Sequence, residues 1–310
     1  MTLTNEQVIE RAKQHGLMVK EDSLLNNESG LDFQVVFATD LQGERWVLRI
    51  PRREDVLART RQEKNILGLV SSWLPVQVPQ WTIFSQELIA YKLLKGVPAG
   101  TIDQEAKAYV WEIDAQNVPD VYHQSLGGAM AALHCINQVD DKKAGFALKT
   151  PETLITSMQA RMDKIKATYG VGEKLWTRWQ KWLANESLWP QKTALIHGDL
   201  HPGHILIDAS ARVTGFIDWT EAHIDDPAND FVVHLNAFGE AALKDLINEY
   251  HKAGGYVWPT MFEHIVELAA AYPVAIAEFA MVSGLKEYEI YAKQTLGRQG
   301  DRQGDRDLSG

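Results

Sequence analysis

The stretch His197-Gly198-Asp199-Leu200-His201-Pro202-Gly203-His204, followed shortly by Ile217-Asp218-Trp219, decides the fold of this chain. Between the two motifs lie two short apolar runs, at 205–207 and 213–217, each long enough for a strand. The segment that separates them, Asp208-Ala209-Ser210-Ala211, consists of residues that suit a turn. The pattern therefore predicts an antiparallel β-hairpin.

The predicted hairpin would bring three chemically active side chains together. Asp199 and His204 precede its first strand, and Asp218 follows its second. Because paired residues in an antiparallel ladder lie about 5 Å apart, the return strand places Asp218 beside the start of the hairpin. Two carboxylates and an imidazole at one edge can hold a divalent cation and accept a proton from a hydroxyl. These are the requirements of phosphoryl transfer.

Length and composition exclude several other classes of protein. The chain has 310 residues, 45% of them hydrophobic and 23% charged, which suits one large domain or two lobes. A net charge of −10 argues against nucleic-acid binding, which needs clustered Lys and Arg. No uninterrupted apolar run reaches the roughly 20 residues of a membrane span, and the polar start is unlike a signal peptide. Since the single Cys135 cannot form an internal disulfide, we expect a cytoplasmic protein.

The sequence pattern changes character near residue 95. Before it, helices alternate with strand pairs in the order of a small α+β lobe, with strands predicted at 34–38, 45–50, 81–84 and 88–91. After the breaker-rich segment 94–100 the pattern is mostly helical, with helices predicted at about 121–136, 152–168, 172–184, 238–253, 260–281 and 285–295. We therefore predict an N-terminal lobe at 1–95, a C-terminal lobe at 96–297 and a disordered polar tail at 298–310.

The two motifs also carry a family resemblance. The sequence resembles the aminoglycoside-phosphotransferase family, whose usual pattern is His-Gly-Asp, four residues, Asn, and then Ile-Asp-Trp or Ile-Asp-Phe after a hairpin. This chain departs once, since His204 stands where most members have Asn. The macrolide 2′-phosphotransferase branch also has His there. The resemblance covers nearly the whole chain and implies a bilobal protein-kinase-like α+β fold, with a small antiparallel-sheet N-lobe and a mostly helical C-lobe.

The resemblance further implies a reaction and its site residues. The reaction would transfer the γ-phosphoryl group of GTP or ATP to the 2′-hydroxyl of the amino sugar of a macrolide antibiotic. Asp199 would act as the catalytic base or orient the hydroxyl, and Asp218 and His204 would bind Mg²⁺. His197 and Asp230 would brace the catalytic loop. The expected partners are the nucleotide and the antibiotic, with no nucleic acid, no membrane and no second subunit.

Arg49 is the main candidate for a phosphate contact. It lies in an apolar strand, where a charge needs a partner, and Glu63 on the following helix is the natural one. By resemblance Arg49 would anchor the phosphates from the N-terminal nucleotide-binding lobe, although a strand Arg that reaches solvent is an alternative. The other nucleotide-binding residues implied are Ser29 and Gly30 in the phosphate loop, Tyr91 at the interlobe connection, and Leu206 and Ile217 against the base. Leu206 and Ile217 suit a core role equally well.

The acceptor pocket is expected in the long apolar stretch 261–281. The acceptor-binding residues predicted there are Tyr272, Ile276, Glu278 and Phe279. An aminoglycoside carries several amines and needs several acids, whereas a macrolide carries one dimethylamino sugar on a large apolar ring. A mostly apolar wall with an occasional acid favours the macrolide.

Three alternatives stay open at this point. The first is a phosphotransferase of the same fold that acts on an aminoglycoside or another small alcohol. A zinc metallohydrolase could use the cluster of His197, His201 and His204, which fall within eight residues. That interpretation gives no role to Arg49 or Glu63. A nucleotide-binding module without activity is the third alternative, because the Asn position has changed.

Overall fold

The computed structural model describes residues 2–27, 32–53, 56–103, 108–136 and 149–297. The described strands are β1 (Leu25–Asn27), β2 (Phe33–Thr39), β3 (Arg45–Pro51), β4 (Trp81–Phe84), β5 (Ile89–Lys92), β6 (Val97–Pro98), β7 (Gly100–Asp103), β8 (Ala108–Trp111), β9 (Ala194–Ile196), β10 (Ile205–Ile207), β11 (Val213–Phe216) and β12 (His223–Asp225). The described α-helices are α1 (Asn5–Gln14), α2 (Val56–Val70), α3 (Asp120–His134), α4 (Pro151–Tyr169), α5 (Glu173–Ala184), α6 (Asn229–Lys252), α7 (Met261–Ala270), α8 (Pro273–Ser283) and α9 (Lys286–Thr295).

The N-terminal part is built on an antiparallel five-stranded sheet of order β1-β2-β3-β5-β4. Side chains alternate between the faces of a strand. Leu48 and Ile50 of β3 therefore share one face, where they pack with Val8 and Ala12 of α1. Arg49 points to the opposite face, toward α2. The two helices thus cover opposite sides of the sheet. Helix α2 provides the partner, Glu63, of the charged Arg49 side chain in the middle of β3.

The connection between the two parts of the chain is fixed by Gln77. The Gln77 amide donates to the Thr214 carbonyl of β11, and its own carbonyl accepts from the Phe216 amide. Its side chain accepts from the Lys95 amide and donates to the Lys95 carbonyl. Just beyond, Gly96 has φ +109°, and an added Cβ would lie 2.6 Å from Thr214 Oγ1 and 2.8 Å from the carbonyl oxygen of Ile207. The chain can therefore cross at this point only with glycine.

The C-terminal part is mostly helical, with the short strands β9–β12 at the side that faces the sheet. The hairpin β10–β11 pairs Ile205 with Phe216 and Leu206 with Gly215, and β6 adds a third strand to it. β12 pairs with β9, so the His-Gly-Asp loop runs between two small sheets. The mixed α/β fold, with an antiparallel sheet followed by a helical part, confirms the predicted kinase-like fold class.

Several boundaries differ from those that the sequence predicts. Helix α6 begins at Asn229, before the helix expected at 238–253, because α6 joins two helical runs, and the second of them corresponds to the predicted helix. It contains one non-helical residue, Gly239, at φ 82°. The helix expected at 260–281 is two helices, because Pro273 lacks an amide hydrogen and begins a new one. The hairpin β7–β8 and the pair β9–β12 were not predicted from the sequence.

The sequence pattern predicts no apolar stretch long enough to span a membrane, and Met261–Ser283 corrects that expectation. Its mean hydropathy of 1.7 makes it long and apolar enough to cross a membrane by composition alone. In the structure this stretch is divided between α7 and α8, and Ile265, Leu268 and Val274 are buried in the main hydrophobic core. Its apolar character is thus used, at least in part, for packing within the C-terminal part.

Candidate active site

His204 lies between the carboxylates of Asp199 and Asp218. Its Nδ1 is 2.9 Å from the backbone carbonyl oxygen of Asp199 and 3.5 Å from Asp199 Oδ2. Its Nε2 is 3.7 Å from Asp218 Oδ2. Because a carbonyl oxygen only accepts, the contact at 2.9 Å favours the tautomer with the proton on Nδ1. The lone pair of Nε2 then faces Asp218, which is the arrangement of a histidine prepared to bind a metal.

The hairpin brings these three residues together through its first backbone pair. The Ile217 amide donates to the His204 carbonyl at 3.0 Å, so the two motifs lie side by side. Asp218 follows at φ 61°, in the left-handed region that Asp tolerates better than most residues. This turn of the backbone directs the Asp218 side chain back toward His204.

Asp230 holds the loop that carries Asp199. Its carboxylate accepts from the amides of His197 and Gly198, at 2.8 and 2.9 Å, and contacts His134 Nε2 at 3.1 Å. Burial would raise the pKa of Asp230, but the hydrogen bonds from His134 and the His197 amide hold it below its usual value. A buried anion therefore fixes the backbone directly before Asp199.

His197 supports the same loop from the other side. Its Nε2 donates to the Ile217 carbonyl at 3.0 Å, and its Nδ1 accepts from the Asp199 amide at 3.4 Å. Complete burial lowers the pKa of His197 to about 4, so the ring is neutral near pH 7. Both ring nitrogens are thus engaged in hydrogen bonds, so neither is free to ligate zinc in the proposed cluster of His197, His201 and His204.

Within the described residues, the group with metal-binding spacing is instead Asp199, His201 and His204, whose ligand atoms lie within 4.8 Å of one another. His201 Nδ1 already accepts from the Gly203 amide at 3.0 Å. Burial, together with the neighbouring His204, lowers the pKa of His201 to about 3. This ring therefore acts as a neutral part of the loop, and Asp218 completes the acidic side of the site.

The two site carboxylates differ in their affinity for a proton. Burial raises the pKa of Asp199, and the nearby His204 only partly offsets this. Burial would also raise the pKa of Asp218, but the charges of His204 and Arg49 together hold that pKa below its usual value. Asp218 is therefore suited to hold a cation as a permanent anion, whereas Asp199 is suited to receive a proton.

Arg49 and Glu63 form a buried ion pair, with 2.6 Å between Arg49 Nη1 and Glu63 Oε1. The guanidinium also lies over the Phe33 ring, 4.2 Å from its centroid. Arg49 is only 7% exposed, so it does not reach solvent at the lobe edge. The pair is directed toward the site, since Glu63 Oε2 is 3.3 Å from the Thr220 hydroxyl, two residues after Asp218.

The other predicted nucleotide-binding residues have different placements. Tyr91 is buried inside the sheet, paired with Val47 on one side and Trp81 on the other. Its backbone is therefore part of the ladder, and the interlobe connection begins later, at Leu93–Gly96. Leu206 is buried and Ile217 half-buried beside the metal-binding candidates. Ser29 and Gly30 lie outside the described residues.

A cavity of about 350 Å³ opens beside Asp199. Part of its wall is apolar, and that part is formed by Met158, Ile196, Leu200, Val232, Val233, Leu268, Ala271, Val274 and Ala275. The rest is polar, with Tyr272 at the rim and two ion-paired groups within. Of the predicted acceptor residues, Tyr272 and Glu278 line this cavity. Ile276 and Phe279 do not, because they lie on other faces of α8, where Phe279 packs against Tyr288.

Apart from Asp199 and Glu278, the charged residues of the cavity were missed by sequence reasoning. Arg161 binds both oxygens of Glu278, at 2.9 and 2.6 Å. Lys149 contacts Asp225, which also accepts from His223 at 2.9 Å. Burial alone would lower the pKa of His223, but its hydrogen bonds to Asp225 and to the Glu221 carbonyl raise it. These pairs join residues far apart in the chain, and only the alternation of His223 and Asp225 on one strand gave a local signal.

The fold and this site define a kinase-like phosphotransferase that acts on a hydroxyl group. The chain belongs to the phosphotransferase enzyme family, whose sequence profile matches residues 23–264.

The similarity to two solved structures and to one further relative extends over nearly the full length. The macrolide 2′-phosphotransferase MphH from Brachybacterium faecium has a TM-score of 0.89 and 33% identity, over 96% of this chain and 99% of that one. A type I macrolide 2′-phosphotransferase has a TM-score of 0.86 and 39% identity over the same shares. The Bacillus subtilis protein YcbJ is 44% identical over 97% of this chain and its own entire length.

Proposed function

We propose that this protein transfers the γ-phosphoryl group of GTP or ATP to the 2′-hydroxyl of the amino sugar of a macrolide antibiotic. The observation that carries the proposal is the acceptor cavity beside Asp199. Its carboxylates other than Asp199 are already paired, Asp225 with Lys149 and Glu278 with Arg161. The full-length similarity to two macrolide 2′-phosphotransferases agrees with this interpretation.

The charge balance of the cavity distinguishes between acceptor classes. An acceptor with several ammonium groups needs several free carboxylates. Among the described residues, this cavity offers Asp199 as the one carboxylate without a Lys or Arg partner. A single dimethylammonium group needs no more than that. The volume of about 350 Å³ lies at the lower end for ligand sites, so it suits a sugar better than a whole macrolide. The lactone ring would then lie toward the rim at Tyr272, which is 48% exposed.

Asp199 would orient the acceptor hydroxyl and receive its proton. In a loose phosphoryl transfer the proton leaves late, so the position of the carboxylate matters more than its basicity. The raised pKa of Asp199 nevertheless favours proton uptake at the end of the step. Arg49, held by Glu63, would contact the phosphates of the nucleotide with a rigid charged fork.

The donor set around His204 fits a magnesium ion. Asp218 supplies an anionic oxygen and His204 Nε2 a lone pair, and Mg²⁺ typically takes one or two protein carboxylates together with substrate phosphates and water. When bound, the ion would neutralise charge on the phosphates. Asp218 and His204 are the residues that would hold it, and Leu93–Gly96 is the segment that we expect beside the purine.

Mass spectrometry of erythromycin incubated with the protein, Mg²⁺ and either GTP or ATP tests the proposal. We expect the antibiotic to gain one phosphoryl group, and 2′-O-acetylerythromycin to gain none. Asp199→Asn is the matched control for a contaminating kinase. If kanamycin is phosphorylated and erythromycin is unchanged, the acceptor is an aminoglycoside and not a macrolide. If neither the macrolide nor any other alcohol is modified, the proposal is wrong.

A further inference from the structure

The Thr220 hydroxyl lies between two carboxylates that come from different parts of the fold. Its Oγ1 is 2.9 Å from Asp218 Oδ1 and 3.3 Å from Glu63 Oε2. Glu63 belongs to α2 beside the N-terminal sheet, whereas Thr220 and Asp218 follow the hairpin of the C-terminal part. A hydroxyl has a single proton and can donate to one acceptor at a time, and the shorter distance favours Asp218.

This hydroxyl completes a continuous line of polar contacts. The line runs from Arg49 through Glu63 and Thr220 to Asp218, and then to His204. Thr220 therefore lies where the ion pair of the sheet meets the carboxylate of the site.

Thr220 also separates two negative charges. Burial raises the pKa of Glu63, and the Asp218 charge raises it further against the influence of Arg49. The Asp218 side chain is about half exposed and starts from a left-handed backbone, so sheet and helix contacts do not fix it. The Thr220 hydroxyl is the hydrogen-bond donor that holds Oδ1 while Oδ2 faces His204. Without it, Asp218 would keep the like charge of Glu63 nearby and would lose the hydrogen bond to its Oδ1.

We propose that Thr220 is a positioning residue that sets the Asp218 carboxylate for its cation and couples this setting to the Arg49–Glu63 pair. The proposal rests on the proposed nucleotide-dependent phosphoryl transfer. A residue with this role affects the binding of the metal–nucleotide complex more than it affects the acceptor or the stability of the fold.

The test compares Thr220→Val, which keeps the shape and removes the hydroxyl, with Thr220→Ser, which keeps the hydroxyl. Thr260→Val is the matched control, because Thr260 is also half-buried and donates its hydroxyl to a backbone carbonyl, that of Ser187 in the segment between α5 and β9. Calorimetric titration measures nucleotide affinity with and without Mg²⁺, in the absence of any acceptor. Kinetic assays then give the half-saturating concentrations of Mg²⁺ and of the acceptor, and thermal unfolding reports stability.

For Thr220→Val we expect Mg²⁺-dependent nucleotide affinity to fall about tenfold, the loss of one hydrogen bond to a charged group. The metal-free affinity, the half-saturating acceptor concentration and the melting temperature should stay close to those of the wild type. Thr220→Ser should restore binding, and Thr260→Val should leave it unchanged. Equal losses in both Val variants, or a loss in Thr220→Val that is independent of Mg²⁺, would overturn the proposal.

Failure of the proposed function has a different signature. If the wild type binds the Mg²⁺–nucleotide complex but phosphorylates no macrolide, the acceptor assignment is wrong. The nucleotide affinities of the Thr220 variants still test the positioning role, because they are measured without an acceptor. If the wild type binds no nucleotide with Mg²⁺, both proposals are wrong.

Discussion

Replacing Asp230 by Asn should weaken the fold and misplace the catalytic loop at the same time. The Asp230 carboxylate is buried and accepts three hydrogen bonds, two of them from backbone amides. Asn offers one acceptor oxygen, which can serve His134 and the His197 amide. Its amide nitrogen would then face the Gly198 amide, so one donor loses its partner and a second buried donor is added. A hydrogen bond to a charged group contributes about 1.5–3 kcal/mol, and we therefore expect a loss of about 3 kcal/mol.

Urea unfolding followed by circular dichroism measures this loss, with Asp245→Asn as the control. Asp245 lies on the same helix but is exposed, so its replacement should change stability by less than about 0.5 kcal/mol. The pKa of Asp230 is lowered in the folded state, so its contribution is present above the unfolded pKa and disappears as the pH falls through the folded one. The difference between the wild type and Asp230→Asn should thus stay constant from pH 8 to about 5 and shrink only below about pH 4.

The loop displacement should appear in catalysis as a lower kcat with little change in the KM of the nucleotide. The reason is that Asp230 holds the backbone before Asp199 and does not contact Arg49. If Asp230→Asn unfolds at the same urea concentration as Asp245→Asn, or keeps full kcat, the bracing role argued from the hydrogen bonds is refuted.

Three further predictions follow from single features of the structure. Burial lowers the pKa of His197 from 6.5 to about 4, so the unfolded state binds more protons between these values. Stability should fall by up to about 3 kcal/mol as the pH drops from 6.5 to 4, and His197→Gln should flatten that part of a urea-midpoint profile. Gly96→Ala should cost more than about 2 kcal/mol, since it adds contacts of 2.6 and 2.8 Å to the strain of a positive φ. Gly43→Ala, at φ +89° with nothing within 4 Å, separates the strain from the contacts, and equal losses in the two variants would contradict the close approach. Arg161→Gln should leave Glu278 without its cationic partner. Because a partly exposed charge contributes up to about 1 kcal/mol, the kcat/KM for kanamycin relative to that for erythromycin should rise about threefold. An unchanged ratio in a coupled nucleotidase assay would count against the charge argument.

The local features of the site were predictable from sequence. The hairpin follows from two short apolar runs on either side of turn residues, and its register then places His204 beside Asp218. The contact between Arg49 and Glu63 follows in the same way from strand alternation and a helix close in sequence. The predicted fold class is confirmed. It was predictable because these patterns are short-range and depend on backbone geometry.

The lining of the acceptor cavity was not predictable in this way. Glu278 reads as an available acid in a mostly apolar stretch, but its partner Arg161 lies 117 residues earlier on another helix. Neither residue leaves a periodic signal that names the other. The same applies to Lys149 and Asp225, which are 76 residues apart. Pairings of this kind depend on tertiary packing. A single sequence therefore predicts the residues around Asp199 and Asp218, but it does not predict how the charged residues of the acceptor cavity are paired.

The contacts of Gln77 have a consequence for the order of folding. Its backbone and side chain bind Thr214, Phe216 and Lys95, so a residue from the first third of the chain joins a hairpin made much later. During synthesis the N-terminal sheet and the contact between Gln77 and Lys95 can form early, but the partners of Gln77 on β11 exist only after the ribosome has released residue 216. Such long-range closure is slow, and it delays assembly of the reactive cleft until most of the chain exists. We infer that truncated nascent chains are inactive even when their sheet is complete.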